Sequence, residues 1–96
     1  MSTARSSGIL ATGSTTTIQT GKSILSSVAV ISDLTNTATV IVYDNTAGSG
    51  TVLAKLKAPA GVGVASIAFT TPLAGDIGLT VVVSGTGAEA IVTYGA

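Results

Sequence analysis

Side chains able to do chemistry are few in this chain. The carboxylates are Asp33, Asp44, Asp76 and Glu89, and the cations are Arg5, Lys22, Lys55 and Lys57. There is no histidine and no cysteine. A nucleophile needs a base beside it. The many serines and threonines have only these carboxylates and lysines to turn to, so they read as turn and strand residues, and no catalytic residue is assigned. The four acids stand singly, at turns or strand ends. None has the alternating Asp-x-Asp spacing of a calcium loop, so each reads as a cap that holds a turn through its own side chain. No metal site and no cofactor is expected, a metal site assembled between chains being the alternative. Gly48-Ser-Gly50 and Gly85-Thr-Gly87 are two of the close glycine pairs. Each joins strand to strand, whereas a phosphate cradle needs a helix to start after the glycines. They read as turns.

The elements that position these residues are strands. Ala38 to Asp44 is dense in β-branched and aromatic residues, Asn45 to Gly50 is a turn-forming loop, and Thr51 to Lys57 alternates between two faces. This hairpin is the best-marked unit. Ser23 to Ser32, Val64 to Thr71, Ile77 to Ser84 and Ala88 to Tyr94 read as further strands. Pro72 to Asp76 reads as a turn. In Ser23 to Ser32 neither face is clearly polar. No helix of two turns fits anywhere. Six good strands and one or two weaker ones, with turn signals about every ten residues, predict an all-β antiparallel β-sandwich, either jelly-roll or immunoglobulin-like.

Residues 1–20 differ from the rest. Serine, threonine and glycine dominate, and only Ile9, Leu10 and Ile18 offer apolar anchors. The expected organisation is an extended N-terminal arm over residues 1–20, ordered on a neighbouring chain, and a sandwich domain over residues 21–96.

Composition narrows the function. The chain has 96 residues, net charge zero and only 8% charged residues, against about 25% in ordinary soluble domains. Mean hydropathy is +0.70. Little charge is left to keep copies apart, which points to life in an assembly. Four scattered cations do not make a nucleic-acid surface. Apolar runs such as Val40 to Tyr43 are far below the ~20 residues of a spanning helix, and no membrane partner is expected. The N-terminal segment lacks the apolar length of a signal peptide.

The most informative pattern is a second apolar face. Val40 and Val42 alternate with Ile41 and Tyr43, and Val82 stands opposite the face of Leu79, Val81 and Val83. A sandwich strand ordinarily has one wet face, so the outer face is expected to meet another chain. Ile9, Leu10, Ile18, Ile41, Tyr43 and Val82 are the candidate contacts with another chain. Val42 and Val81 are assigned to the core.

Taken together, Leu25 to Val28, Thr39 to Asp44, Gly50 to Ala54, Gly78 to Gly85 and Val92 to Tyr94 make a pattern that resembles small virion structural proteins of tailed bacteriophages. The resemblance covers about residues 22 to 95. It implies a β-sandwich without enzymatic activity that binds a major capsid protein or another virion shell protein as a homo-oligomer, with a trimer favoured. Within that family the short, charge-poor chain resembles a capsid decoration (cement) protein on the head surface, made in the host cytoplasm. A tail, neck or head-fibre component is the alternative. A carbohydrate-binding or adhesion module is a second, against which the absence of tryptophan counts. A small hydrolase or lyase is remote without histidine.

Overall fold

A computed structural model describes residues 5–95, with Pro72 described by its backbone alone. The strands are β1 (Arg5–Ser6), β2 (Leu10–Ala11), β3 (Thr15–Thr20), β4 (Ser23–Ile31), β5 (Ala38–Asp44), β6 (Thr51–Ala58), β7 (Val64–Gly75), β8 (Gly78–Ser84) and β9 (Glu89–Gly95), and all but the two-residue β1 and β2 contain β-branched residues. They make two antiparallel sheets packed face to face. Sheet A has the order β1-β9-β4-β7, with β2 also on β9, and sheet B has the order β3-β8-β5-β6. The β-sandwich expected from strand spacing is present.

The pairings nest. β5 pairs with β6, β4 with β7, β3 with β8, and β1 and β2 with β9. The chain is therefore one long antiparallel ribbon, turned at residues 45–50 and wrapped so that β4 also pairs β9 and β5 also pairs β8. That nesting is a jelly roll. In an immunoglobulin-like sandwich the last strand lies beside the one before it. Here β8 and β9 lie in different sheets.

The core follows from alternation. Leu25, Val28 and Val30 of β4, Ala90 and Val92 of β9 and Leu10 of β2 face Val40 and Val42 of β5 and Leu79, Val81 and Val83 of β8. All are buried, and Val42 and Val81 have no exposed surface, as expected. Ala38, Ala58 and Ala88 complete the buried set.

Bulges decide which residues reach this core. Leu25 pairs with Tyr94 and Ser27 with Thr93, so β4 carries one extra residue at Ser26. The phase shifts there: Ser23 and Leu25 point inward before the bulge, Val28 and Val30 after it. This is why no single alternation reveals a polar face in Ser23 to Ser32. A second bulge, between Val42 and Tyr43 on the β5–β6 ladder, sets Leu53 as the extra residue, and both Leu53 and Ala54 pack against the core.

β7 differs from expectation. It runs through Pro72 to Gly75 rather than ending at Thr71. Ala68 pairs with Ser27 and Leu73 with Leu25. Residues 69–72 therefore stand opposite Ser26 alone, in a wide irregularity. An edge strand tolerates a proline there because no ladder needs its missing N–H.

Residues 5–20 belong to the same two sheets as the rest. Arg5 pairs with Tyr94, Leu10 with Ala90, and Thr15 to Thr20 with Val82 to Gly78. Hydrogen bonding shows no break at residue 20, because β8 and β9 need these strands as ladder partners. The N-terminal part of the expected arm, residues 1–4, lies outside the described residues.

Candidate interaction surfaces

The outer face of sheet B is laid out by its register. One row reads Thr15, Val82, Ile41, Lys55, and the next reads Thr17, Thr80, Tyr43, Val52. Ile41, Tyr43 and Val82 thus stand together on the face turned away from the core, as alternation predicts. All three are half-buried. Part of that cover comes from the chain itself.

The cover is the β5–β6 loop. Thr80 Oγ1 donates to the Asn45 carbonyl at 2.7 Å. The Thr17 and Thr80 hydroxyls lie 2.9 Å apart, within hydrogen-bond reach of each other. The Thr46 carbonyl lies 3.2 Å from the same Thr17 hydroxyl. Thr80 is fully buried although it points away from the core. Further along, a Cβ on Gly48 would stand 3.0 Å from Val82 Cγ2 and 3.1 Å from Thr15 Cγ2. The loop lies down across β8 to β3. Asn45 holds its far end, donating from Nδ2 to the Ser49 carbonyl at 2.8 Å. Periodicity alone could not reveal this lid, because its residues carry no apolar signal.

The other candidate contacts separate. Ile9 is 66% exposed in the bend between β1 and β2. Leu10, one residue on, is only 8% exposed and lies in the core of its own chain. Its use as a contact for a partner is corrected on that ground: opposite Ala90 it points between the sheets. Ile18 is the extra residue of a bulge in β3 and packs in part against the core. Ile9, Ile18 and the Ile41–Tyr43–Val82 group therefore do not form one continuous surface.

Two of the four carboxylates, Asp44 and Asp33, act as turn holders. Asp44 Oδ1 accepts from the backbone N–H groups of Asp76 at 3.0 Å, Ile77 at 2.9 Å and Gly78 at 3.4 Å. Those N–H groups, Ile77 first and then Asp76, hold its carboxyl below the usual aspartate range. Asp33 Oδ1 accepts from the N–H of Asn36 at 2.7 Å and of Thr35 at 2.9 Å, while its Oδ2 accepts from the Asn36 amide at 3.0 Å. Its carboxyl is likewise lowered, chiefly by the backbone and then the side chain of Asn36. The two acids stabilise the β7–β8 and β4–β5 connections through charge-assisted hydrogen bonds. Among the described residues, no three acidic, histidine or cysteine side chains gather as metal ligands.

A second apolar surface was not singled out by the sequence. Leu34, Val62, Val64 and Ile67 are large apolar side chains left exposed around the start of β7. The β4–β5 and β6–β7 connections meet there: Gly61 donates to the Leu34 carbonyl at 2.8 Å and Ser32 to the Gly63 carbonyl at 2.9 Å. Isolated valines in a loop look like ordinary turn neighbours, and only the docking of two loops brings them together.

No protein-family model, no curated protein and no solved structure matches this chain.

Proposed function

We propose that this protein is a non-enzymatic virion structural protein, a capsid decoration protein that binds the outer surface of a phage head as a homo-oligomer and stabilises the shell. The observation that carries the reading is the half-buried Ile41–Tyr43–Val82 group on the outer face of sheet B. It belongs to a chain with only four basic and four acidic residues. Such a surface is matched by an apolar, neutral partner, and a shell protein offers one in many copies. The jelly roll is compatible with this role, since viral capsid proteins use it, but one fold serves many functions. On the shell itself, three copies fit around each local three-fold axis of an icosahedral head, and closed symmetry is the norm in such assemblies.

The test is binding to phage heads lacking the protein. Sedimented heads are expected to gain the protein at a fixed ratio to the major capsid protein and to withstand heating better. The variant Ile41→Lys/Val82→Lys is expected to bind poorly while remaining folded. Heads that take up no protein overturn the reading.

A specific observation favours a second reading, a carbohydrate-binding module. Jelly rolls also serve as lectin domains, and Tyr43 stands beside Thr80 and the polar loop Asn45–Gly50. Binding to immobilised glycans in place of heads would favour it.

A further inference from the structure

The two sheets have four outer edges, and three of them carry something that obstructs pairing. The edge made by β1 and β2 consists of two-residue pieces, is bent at Gly8 with φ 74, and bears Arg5. β3 is broken by the bulge at Ile18. β6 holds Lys55 and Lys57 exposed along its length. Short strands, bulges and lysines are the usual means of protecting an edge.

The fourth edge is β7, and its first half has none of these. Val64 to Ala68 pairs without interruption with Ile31 to Ser27 on one side. Among the described residues no strand pairs with its other side. The strand from Val64 to Gly75 contains no charged residue at all. Its apolar side chains are uncovered as well: Val64 is 56% exposed and Ile67 is 42% exposed. Val62 and Leu34, in the two loops docked at the start of the strand, are exposed as well. Leu34 sits there at φ 74, a left-handed conformation that leucine rarely adopts.

We infer that the free edge of β7 is a self-association surface, on which a second copy of this chain lays its own β7 antiparallel against Val64–Ala68. The occupant follows from the edge itself. Around a two-fold axis each residue of one strand meets, in the other copy, the residue that meets it in return. A free, uncharged edge is therefore complementary to its own copy, and each strand supplies the N–H and C=O groups the other lacks. The remaining edges of a second copy fit poorly, since they bring Lys55 and Lys57, the Ile18 bulge, or the Gly8 bend with Arg5. With net charge zero, two copies approach without long-range repulsion. Pairing extends each sheet A into one sheet running through both copies and takes Val64 and Ile67 out of water. The contact is separate from the outer face of sheet B and does not depend on the protein's role in a virion.

Analytical ultracentrifugation of the purified full chain, from low micromolar to millimolar concentration, tests this together with hydrogen exchange at both extremes. The mass is expected to rise from one chain to two. Alternate backbone amides in 64–68 are expected to slow by about tenfold or more on association, while those of the β3 edge are unchanged. Ser66 and Ala68 are exposed on the outer face of β7. The variant Ser66→Lys/Ala68→Lys brings ammonium groups of the two copies together and is expected to remain a single chain where the parent is paired. Lysines at the exposed Thr20 and Thr86 are expected to leave pairing intact. A parent that stays a single chain throughout overturns the inference, as does an oligomer of any size whose 64–68 amides exchange as fast as in the dilute protein. Pairing of Ser66→Lys/Ala68→Lys at parental strength also overturns it. If that variant does not fold, the amide exchange of the parent decides alone.

Discussion

Gly48 rests on Val82: a Cβ at position 48 would come within 3.0 Å of Val82 Cγ2. A larger residue there must push either the valine or the loop aside. The loop yields more easily, since it is held by the Thr80–Asn45 hydrogen bond and few others. Gly48→Val is therefore expected to lift residues 45–50 off sheet B with a stability loss of about 1 kcal/mol, of the order of one lost hydrogen bond. Limited proteolysis checks this, with faster cleavage in the loop and unchanged far-UV circular dichroism as the expected result.

Val42 and Val81 pair across β5 and β8 at the centre of the core. Val42→Asp or Val81→Asp buries a charge with no partner and is expected to cost several kcal/mol. Against a total stability of about 5–15 kcal/mol, that is enough to prevent folding. Denaturant melts of the two variants, beside Ile41→Asp on the outer face, separate inward from outward positions. The outer-face variant is expected to remain folded.

Gly85 combines a backbone angle with a close approach. Its φ is +105, and a Cβ would lie 2.1 Å from the Thr37 carbonyl oxygen. That neighbour is backbone and cannot rotate away. Gly85→Ala is expected to lose more than about 2 kcal/mol, read as a fall in the midpoint of urea unfolding. Gly13→Ala, with nothing near its Cβ position, bears only the cost of its own positive φ and is expected to lose less.

Asp44 predicts a pH dependence. Its folded pKa lies below the ordinary aspartate value of 3.8 because Ile77 and Asp76 donate to the ionised form. A lowered folded pKa means that the unfolded chain takes up the proton first, so stability falls as acid is added. The contribution is complete above the ordinary aspartate range and is lost as pH falls through the depressed value. Asp44→Asn is expected to melt below the parent at pH 7, with the gap narrowing as pH falls under about 4. Thermal melts at a series of pH values decide it; a constant gap contradicts the role given to the charge.

Much of the fold was legible because the strands are long β-branched runs with glycine, asparagine and proline between them. What alternation could not supply was phase. Ser26, Ile18 and Leu53 are single extra residues, and each resets which side chains face inward without leaving a compositional mark. Leu10 reads as an anchor for a partner because, Ile9 apart, the segment around it is made of small and polar residues. Only its pairing with Ala90 shows that the core takes it. The turn roles of Asp33 and Asp44 were readable from their positions, but not that Asp44 reaches across to residues 76–78, since that contact spans two connections. The loop over Val82 was hidden for a simpler reason: its attachments are to threonine hydroxyls and a glycine.

The strands before residue 21 offer another test. β3 supplies the ladder partner of β8, and β1 and β2 those of β9. Deleting residues 2–20 uncovers both and removes Leu10 from the core. The truncated chain is expected to lose about 2–5 kcal/mol from the leucine alone and to aggregate through its freed edges. A soluble truncated chain that melts with the parent would mean that these strands act only as an appendage.

Decoration of a phage head, as proposed, is read by weighing heads that lack the protein after incubation with the purified chain, using native or charge-detection mass spectrometry. The expected result is a mass gain that saturates at a whole number of chains per capsid symmetry position and is lost with Ile41→Lys/Val82→Lys. Heads whose mass does not change in saturating protein would contradict it.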